Sequence, residues 1–284
     1  MKLFLLLITT LSLYAQLSEN VHSSASAYAE SRTYEHSKQK EDGKVFGLGA
    51  DIHYKNSEYK FTYEQGGANI KPQLPLPDLK FKKLFLRYAY NIDQKISFNI
   101  NYISVLDDNI ALTDGGNIYA LGATYNLNKH NRLNLTQYIS DYKDFDTYQT
   151  DLQYDHKIAF ESIKVKFSLI GKYIHIHQSK PNGFTKYAKE NYFTTGLKAH
   201  MHYKSFHFGV GAYFGKRVFA IMQEGFKVQH HAMEFDRTYA FAFGKSFSNV
   251  ILRAQYIYQR ATELPIKNKN VSIKNIRLIA NYKF

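Results

Sequence analysis

The chain has 284 residues, no Cys, no Trp, 24 Tyr, 21 Phe and a formal charge of +13, with a mean hydropathy of −0.41. The missing cysteines exclude a disulfide framework and a thiolate metal site, and past residue 15 no apolar run approaches the ~20 residues of a membrane-spanning helix. The basic charge would suit nucleic acid, but Lys and Arg are scattered singly and the chain opens on an export segment, so anionic surfaces or solutes outside the cell are the better-matched partners.

That segment is Met1 to Ala15, with Lys2 as the charged start, Leu3 to Leu13 as the apolar core and Ser12-Leu13-Tyr14-Ala15 as a cleavage region, the pattern of a secretory signal. Residues 16–284 then read as a single domain built from alternating segments of ~10 residues. The first strand, Val21 to Tyr34, is the weakest, with Ala25, Ala27 and Ala29 on one face and Tyr28, Glu30 and Arg32 on the other. Phe46 to Tyr54 sets Phe46, Leu48, Ala50 and Ile52 against Gly47, Gly49, Asp51 and His53. A tight turn leads to Tyr59, Phe61 and Tyr63, with Lys60, Thr62 and Glu64 opposite. Pro72, Pro75 and Pro77 mark a longer connection in which no ladder can form.

Short turns and longer connections keep alternating. Leu84, Leu86, Tyr88 and Tyr90 face out with Arg87 inward; Ser97, Asn99 and Asn101 form the polar face of the fifth strand. Strands six to eight follow around Tyr119–Leu127, Leu133–Ile139 and Tyr148–Asp155, the last carrying Asp151 and Asp155 inward. Strand nine places Lys164, Lys166, Ser168 and Lys172 inward, and Ile174 and Ile176 beyond it suggest a phase shift or bulge. Strand ten turns Lys198, His200 and His202 inward, strand eleven His207, Gly209 and Gly211, and strands twelve and thirteen contain Tyr239–Phe243 and Val250–Tyr258.

The fourteenth strand, Val271 to Phe284, alternates Phe284, Tyr282, Ala280, Leu278 and Ile276 against Lys283, Asn281, Arg277 and Asn275, with Ile279 alone out of phase. It ends on an apolar-facing aromatic residue and resembles the C-terminal signature strand of Gram-negative outer-membrane β-barrel proteins. The resemblance implies an outer-membrane location and makes Phe284, Tyr282 and Leu278 the signal read by the barrel-assembly machinery. The expected architecture is all-β: a transmembrane, antiparallel, up-and-down barrel of about fourteen strands, with twelve or sixteen as alternatives. An even count brings both ends to the periplasmic side and makes the long connections extracellular. Closure then requires the last strand to pair with the weak first one.

A fourteen-stranded barrel is too wide to be filled by its own wall side chains. Its expected lining is Arg32, Lys60, Arg87, Lys164, Lys166, Lys172, Lys198, Arg253 and Arg277 on the positive side, with Glu30, Asp51, Glu64, Asp151 and Asp155 on the negative and His200 among them. A surplus of cations over a polar wall points to a water-filled channel with a mild preference for anions. The lumen is open unless a loop folds in, and Lys216 to His231, with Val218, Phe219, Ile221, Met222 and Phe226, is read as a constriction packed into the mouth.

Other functions leave fainter traces. His175-x-His177 and His200-x-His202 lie at opposite ends of neighbouring strands and cannot join into one site, so no metal or cofactor is expected. His230-His231 in the long loop suggests a pH-dependent gate. His177-Gln178-Ser179 echoes the His and Ser of outer-membrane lipid-modifying enzymes, but Lys180-Pro181 departs from the Asn that follows in those families. Acidic Asp107, Asp108, Asp114, Asp141, Asp144 and Asp146 are either solvated carboxylates or a shared cation site, and the basic stretches Lys180–Lys189 and Lys267–Lys269 suit lipopolysaccharide phosphates. The expected function is a porin-like channel for passive diffusion of small hydrophilic solutes; a channel selective for a specific or amphipathic solute comes second, an enzyme last. Outer-membrane lipid and lipopolysaccharide are the expected surroundings, and the apolar outer face fits a lipid or a second copy of the chain equally.

Overall fold

A computed structural model of the chain describes residues 21–107, 111–178 and 187–284. The signal segment, Asp108, Ser179, Lys180 and Pro181 lie outside the described residues. Period-two alternation becomes strand throughout: β1 (Val21–Glu35), β2 (Lys40–Tyr54), β3 (Ser57–Ile70), β4 (Leu79–Asn91), β5 (Ile96–Asp107), β6 (Asn117–Asn126), β7 (Asn131–Asp141), β8 (Phe145–Phe160), β9 (Ile163–Gln178), β10 (Asn191–Tyr203) and β11 (Phe206–Arg217). After two short strands inside a loop, β12 (Ile221–Met222) and β13 (Lys227–Val228), come β14 (Met233–Phe247), β15 (Val250–Glu263) and β16 (Asn268–Lys283).

Fourteen of these close into one antiparallel barrel in the order β1-β16-β15-β14-β11-β10-β9-β8-β7-β6-β5-β4-β3-β2. The seam is formed by β1 and β16, paired from Ser24↔Lys283 to Glu35↔Ser272. Closure leaves no free sheet edge, which is the condition for placing strands in lipid, where no water completes an open ladder. The outward side chains, among them Phe46, Leu86, Ile100, Leu121, Leu152, Phe193, Leu197 and Leu278, are exposed, so the barrel is apolar outside, as a lipid-facing wall must be.

At one end four hairpins turn in two residues, and the first residue of each has positive φ: Lys55 (51°), Glu161 (40°), Lys204 (52°) and Ser248 (45°). Positive φ there gives the primed turn whose twist matches the strands. The opposite end carries the longer connections and the register shifts, including one in the β11–β14 ladder between Phe214 and Arg217. Three of those connections, after β1, β7 and β15, are themselves short because their strands run on past the apolar band. The asymmetry between the ends thus lies partly in strand overhang.

β9 differs from the sequence expectation. Its pairing with β8 runs unbroken from Phe145↔Gln178 to Phe160↔Ile163, so no phase shift occurs. Ile170, Ile174 and Ile176 face inward and are buried. They are apolar because something other than water covers them from inside.

Candidate functional site: a loop-braced lumen

The covering element is the 218–232 segment, folded into the loop end of the barrel. Arg217, fully buried, lies over the rings of Tyr213 and Phe235 and donates to Thr238 Oγ1, fixing the point where the chain leaves the wall. Val218, Phe219, Ala220 and Ile221 are buried against Ile103, Ile118, Tyr138, Phe145, Ile174 and Ile176. Phe219 sits 4.6 Å from Phe145, centroid to centroid, and Phe226 5.2 Å from Phe85. β12 and β13 pair antiparallel through Ile221↔Val228 and Met222↔Lys227. Their connection, residues 223–226, opens with three consecutive residues at positive φ, Gln223, Glu224 and Gly225, the last at +100°. The expectation that this loop constricts the mouth agrees with its position.

Polar groups of the wall tie the hairpin down. The Gln149 side chain on β8 bonds both backbone groups of Ile221, and Lys172 Nζ on β9 donates to the same carbonyl at 3.2 Å. Lys83 on β4 donates to the Phe226 carbonyl. Arg87 pairs with Glu224 at 3.1 Å and Lys227 with Glu30 on β1 at 3.0 Å. Six strands separate β1 from β8 in either direction round the ring. Ile221 and Lys227 therefore attach one small hairpin to diametrically opposite walls.

Most of the lining cations named from sequence are held in ion pairs. Glu30, whose carboxylate is fully buried, accepts from Arg32 Nε at 2.6 Å, Arg277 Nε at 2.6 Å and Lys227. Glu64 takes Lys83 at 3.2 Å and the Tyr28 hydroxyl. Tyr28 reaches Glu64 across β2 because Gly47 lies beneath its ring; a Cβ there would meet the ring at 2.2 Å. Asp151 takes Lys172, and Lys60 sits 3.6 Å from both Asp51 and Glu58. Among the described residues Lys164, Lys166, Lys198 and Arg253 make no ion pair. Lys83, Gln149, Glu224 and Lys227 complete the arrangement and were not singled out from sequence; the inward phase of Lys83 and Gln149 was legible, the loop positions that meet the wall were not.

The unpaired cations share one side of the lumen. Between the hairpin and the β9–β10–β11–β14–β15 wall remains a cavity of about 390 Å³. Lys166, Lys198, His200 and Arg253 line it towards the turn end; Met222, Val228, Met233 and Phe235 line it towards the loop end. Arg32, Arg217, Glu224 and Lys227 share the loop end with these apolar side chains, so the apolar groups there stand among charged ones.

The other paired histidines divide as follows. His175 and His177 occupy the outward face of β9 near the loop end, away from His200 and His202 in the lumen. His230 is buried, stacks on Phe81 at 4.5 Å and has Nδ1 3.2 Å from Thr113 Oγ1. Burial, assisted by the neighbouring Lys83, holds its pKa down to about 3. Burial likewise pushes His231 well below the usual imidazole range, with Lys40 and His230 adding to the effect. Among the described residues the acidic loop positions form no cluster of metal-ligating groups.

No protein-family model matches the chain, and no curated protein matches it in sequence. Its three-dimensional relatives are clear. A solved structure described as a bacterial polysaccharide outer membrane secretin superimposes with a TM-score of 0.55 at 11% identity, over 92% of this chain and 98% of that one. Outer membrane protein Omp33 of Acinetobacter baumannii gives 0.52 at 10% identity, covering 94% and 100%, and the NanC porin 0.50 at 8%, covering 91% and 100%. The fold is that of an outer-membrane β-barrel. In such a barrel the C-terminal strand closes the ring, and here Leu278, Tyr282 and Phe284 are exposed on its outer face, with Tyr282 and Phe284 in edge contact at 5.0 Å. The Phe284 N–H donates to the Ser23 carbonyl at 3.0 Å, extending the seam by one residue.

Proposed function

We propose that the chain is a porin-like channel of a bacterial outer membrane that passes small anionic solutes along the space between the inserted hairpin and the β9–β15 wall. The observation that carries this reading is the grouping of Lys166, Lys198 and Arg253, inward-facing and with no carboxylate within ion-pair distance, along that cavity, against the single acid Glu224 in its lining. Cations lining a narrow space between low-dielectric walls concentrate anions there. The three-dimensional likeness to proteins described as outer membrane proteins and a porin supports the location and the transport class. In that setting the exposed outer residues meet lipid, the basic loop-end residues meet lipopolysaccharide phosphates, and Leu278, Tyr282 and Phe284 serve the assembly machinery.

Single-channel recording in a planar bilayer under a KCl gradient tests the reading. The expected result is salt-proportional conductance with a reversal potential on the anion side, moving towards the cation side in Lys166→Glu and Lys198→Glu. A barrel that conducts no ions, or one already cation-selective, rejects it.

A second reading has an observation in its favour. Met222, Val228, Met233 and Phe235 add an apolar patch among the charged residues at the loop end of the same cavity, which suits an amphipathic solute carrying one anionic end. Block of the ionic current by octanoate, but not by acetate, distinguishes it.

A further inference from the structure

The turn end of the lumen holds a second constellation, independent of the loop. His200 and His202 are two residues apart on β10, so both rings point inward. The two-residue turn at Lys204-Ser205 then returns the chain in the register Tyr203↔Phe206 and His202↔His207. This sets His207 directly beside His202 on the same face. The ring centroids of His202 lie 4.5 Å from those of both His200 and His207, and the outer two are 6.4 Å apart. One ligand nitrogen from each ring lies within 4.8 Å of the other two.

We infer that His200, His202 and His207 form a three-histidine site for a borderline transition-metal dication of the Zn(II) or Cu(II) class, with its fourth coordination position open to the lumen. Three imidazoles and one open position are a sufficient donor set for such ions, with bonds of ~2.0–2.1 Å. Small side-chain rotations close the nitrogens onto a shared ion, because all three rings project from one rigid hairpin. His207 Nε2 is 2.6 Å from Ser246 Oγ on β14. A partner on one ring nitrogen fixes the ring's orientation and leaves the other nitrogen to the metal, as outer-shell partners of metal-binding histidines do.

The surrounding charge defines what occupies the fourth position. Lys166 is register-paired with His200 and Lys164 with His202 on β9, and Arg253 on β15 faces the same space. Neutral imidazoles leave the ion's double charge uncompensated beside these three cations. An anionic fourth ligand relieves that repulsion, so the site takes a metal together with a small anion such as a carboxylate or phosphate. The sequence pattern alone assigns no metal here, because its two His-x-His pairs lie apart; the third ligand comes from the turn register.

The test uses the full mature barrel, refolded in detergent and carrying no histidine tag, titrated with Cu(II) and Zn(II) in acetate-containing buffer. The expected result is one metal per chain, with nitrogen hyperfine structure in the Cu(II) paramagnetic resonance spectrum. His202→Gln should weaken binding by more than the about 10–100-fold that loss of an outer-shell partner costs, and Ser246→Ala by about that amount. His175→Ala with His177→Ala leaves it unchanged. Binding that follows His175 and His177, or a His202→Gln variant that folds and binds as the parent does, overturns the assignment; so does a parent barrel that binds no metal. Metal binding is read without any measurement of conductance, so it stands or falls apart from the channel reading.

Discussion

Gln149 and Ile221 exchange two hydrogen bonds: Gln149 Nε2 donates to the Ile221 carbonyl at 2.7 Å, and the Ile221 N–H donates to Gln149 Oε1 at 2.8 Å. A side-chain amide thus does for β12 what a neighbouring strand would do, and both groups are buried. Gln149→Ala leaves the Ile221 N–H without its partner at a cost of ~1–3 kcal/mol. The expected outcome is a hairpin that leaves its seat part of the time, read as higher mean conductance and added flicker in single-channel traces. Traces identical to the parent's would mean that the bond pair does not hold the loop.

Glu30 is the charge on which the β1 side of the hairpin depends. Arg32, Arg277 and Lys227 all converge on a carboxylate with no solvent exposure. Glu30→Gln leaves three cations gathered around a neutral group, and breaking a buried pair from one side costs ~3–5 kcal/mol. The midpoint of urea unfolding in detergent should fall markedly, with the Lys227 side of the loop released first.

Gly225 closes the β12–β13 connection at φ +100°, and a Cβ there would stand 2.7 Å from Phe85 Cε2. Gly225→Ala therefore combines left-handed strain with a clash against the wall, together ~1–3 kcal/mol. Tryptic cleavage after Lys227 in the folded barrel should accelerate several-fold. An unchanged cleavage rate would show that the hairpin accommodates the methyl group.

The His230-His231 pair was expected to gate near neutral pH, and its burial moves the window. Both rings are held neutral in the seated loop, His230 with a pKa of about 3 against an ordinary 6.5. A depressed folded-state pKa gives stability that is complete above the unfolded value and is lost as pH falls below it. Conductance should therefore rise progressively as pH falls below about 6.5, as the hairpin loosens, and His230→Phe with His231→Phe should remove that rise. A rise of the same size in the double variant would contradict the role of these rings.

The wall was legible because lipid imposes the simplest pattern a strand can carry. Fourteen alternating segments, the seam between Val21–Glu35 and the C-terminal strand, and the inward phase of Arg32, Lys60, Arg87, Lys166 and Arg253 all follow from a period of two. The pattern misleads where the interior is also apolar. Ile174 and Ile176 look like a phase shift only if inward residues are assumed to meet water, and they pack in one cluster with Phe219 and Ile221 instead. The strands also run beyond the membrane band, as at Lys40–Lys44 at the start of β2, where the outward aromatic residues that mark the band are missing. The third histidine was overlooked for a different cause: His207 joins His202 through pairing across a turn, a relation that alternation within one strand does not contain.

The hairpin between β1 and β8 has a mechanical consequence. A tube one sheet thick yields most readily by flattening into an ellipse, which requires opposite walls to approach or separate. A tie anchored at Glu30 on one wall and Gln149 on the other resists both movements, acting as a crossbeam on a diameter. On the channel reading, solute travels beside the beam, and the same few residues that narrow the lumen hold its cross-section round. Deleting the loop would yield a wider tube that is also a softer one.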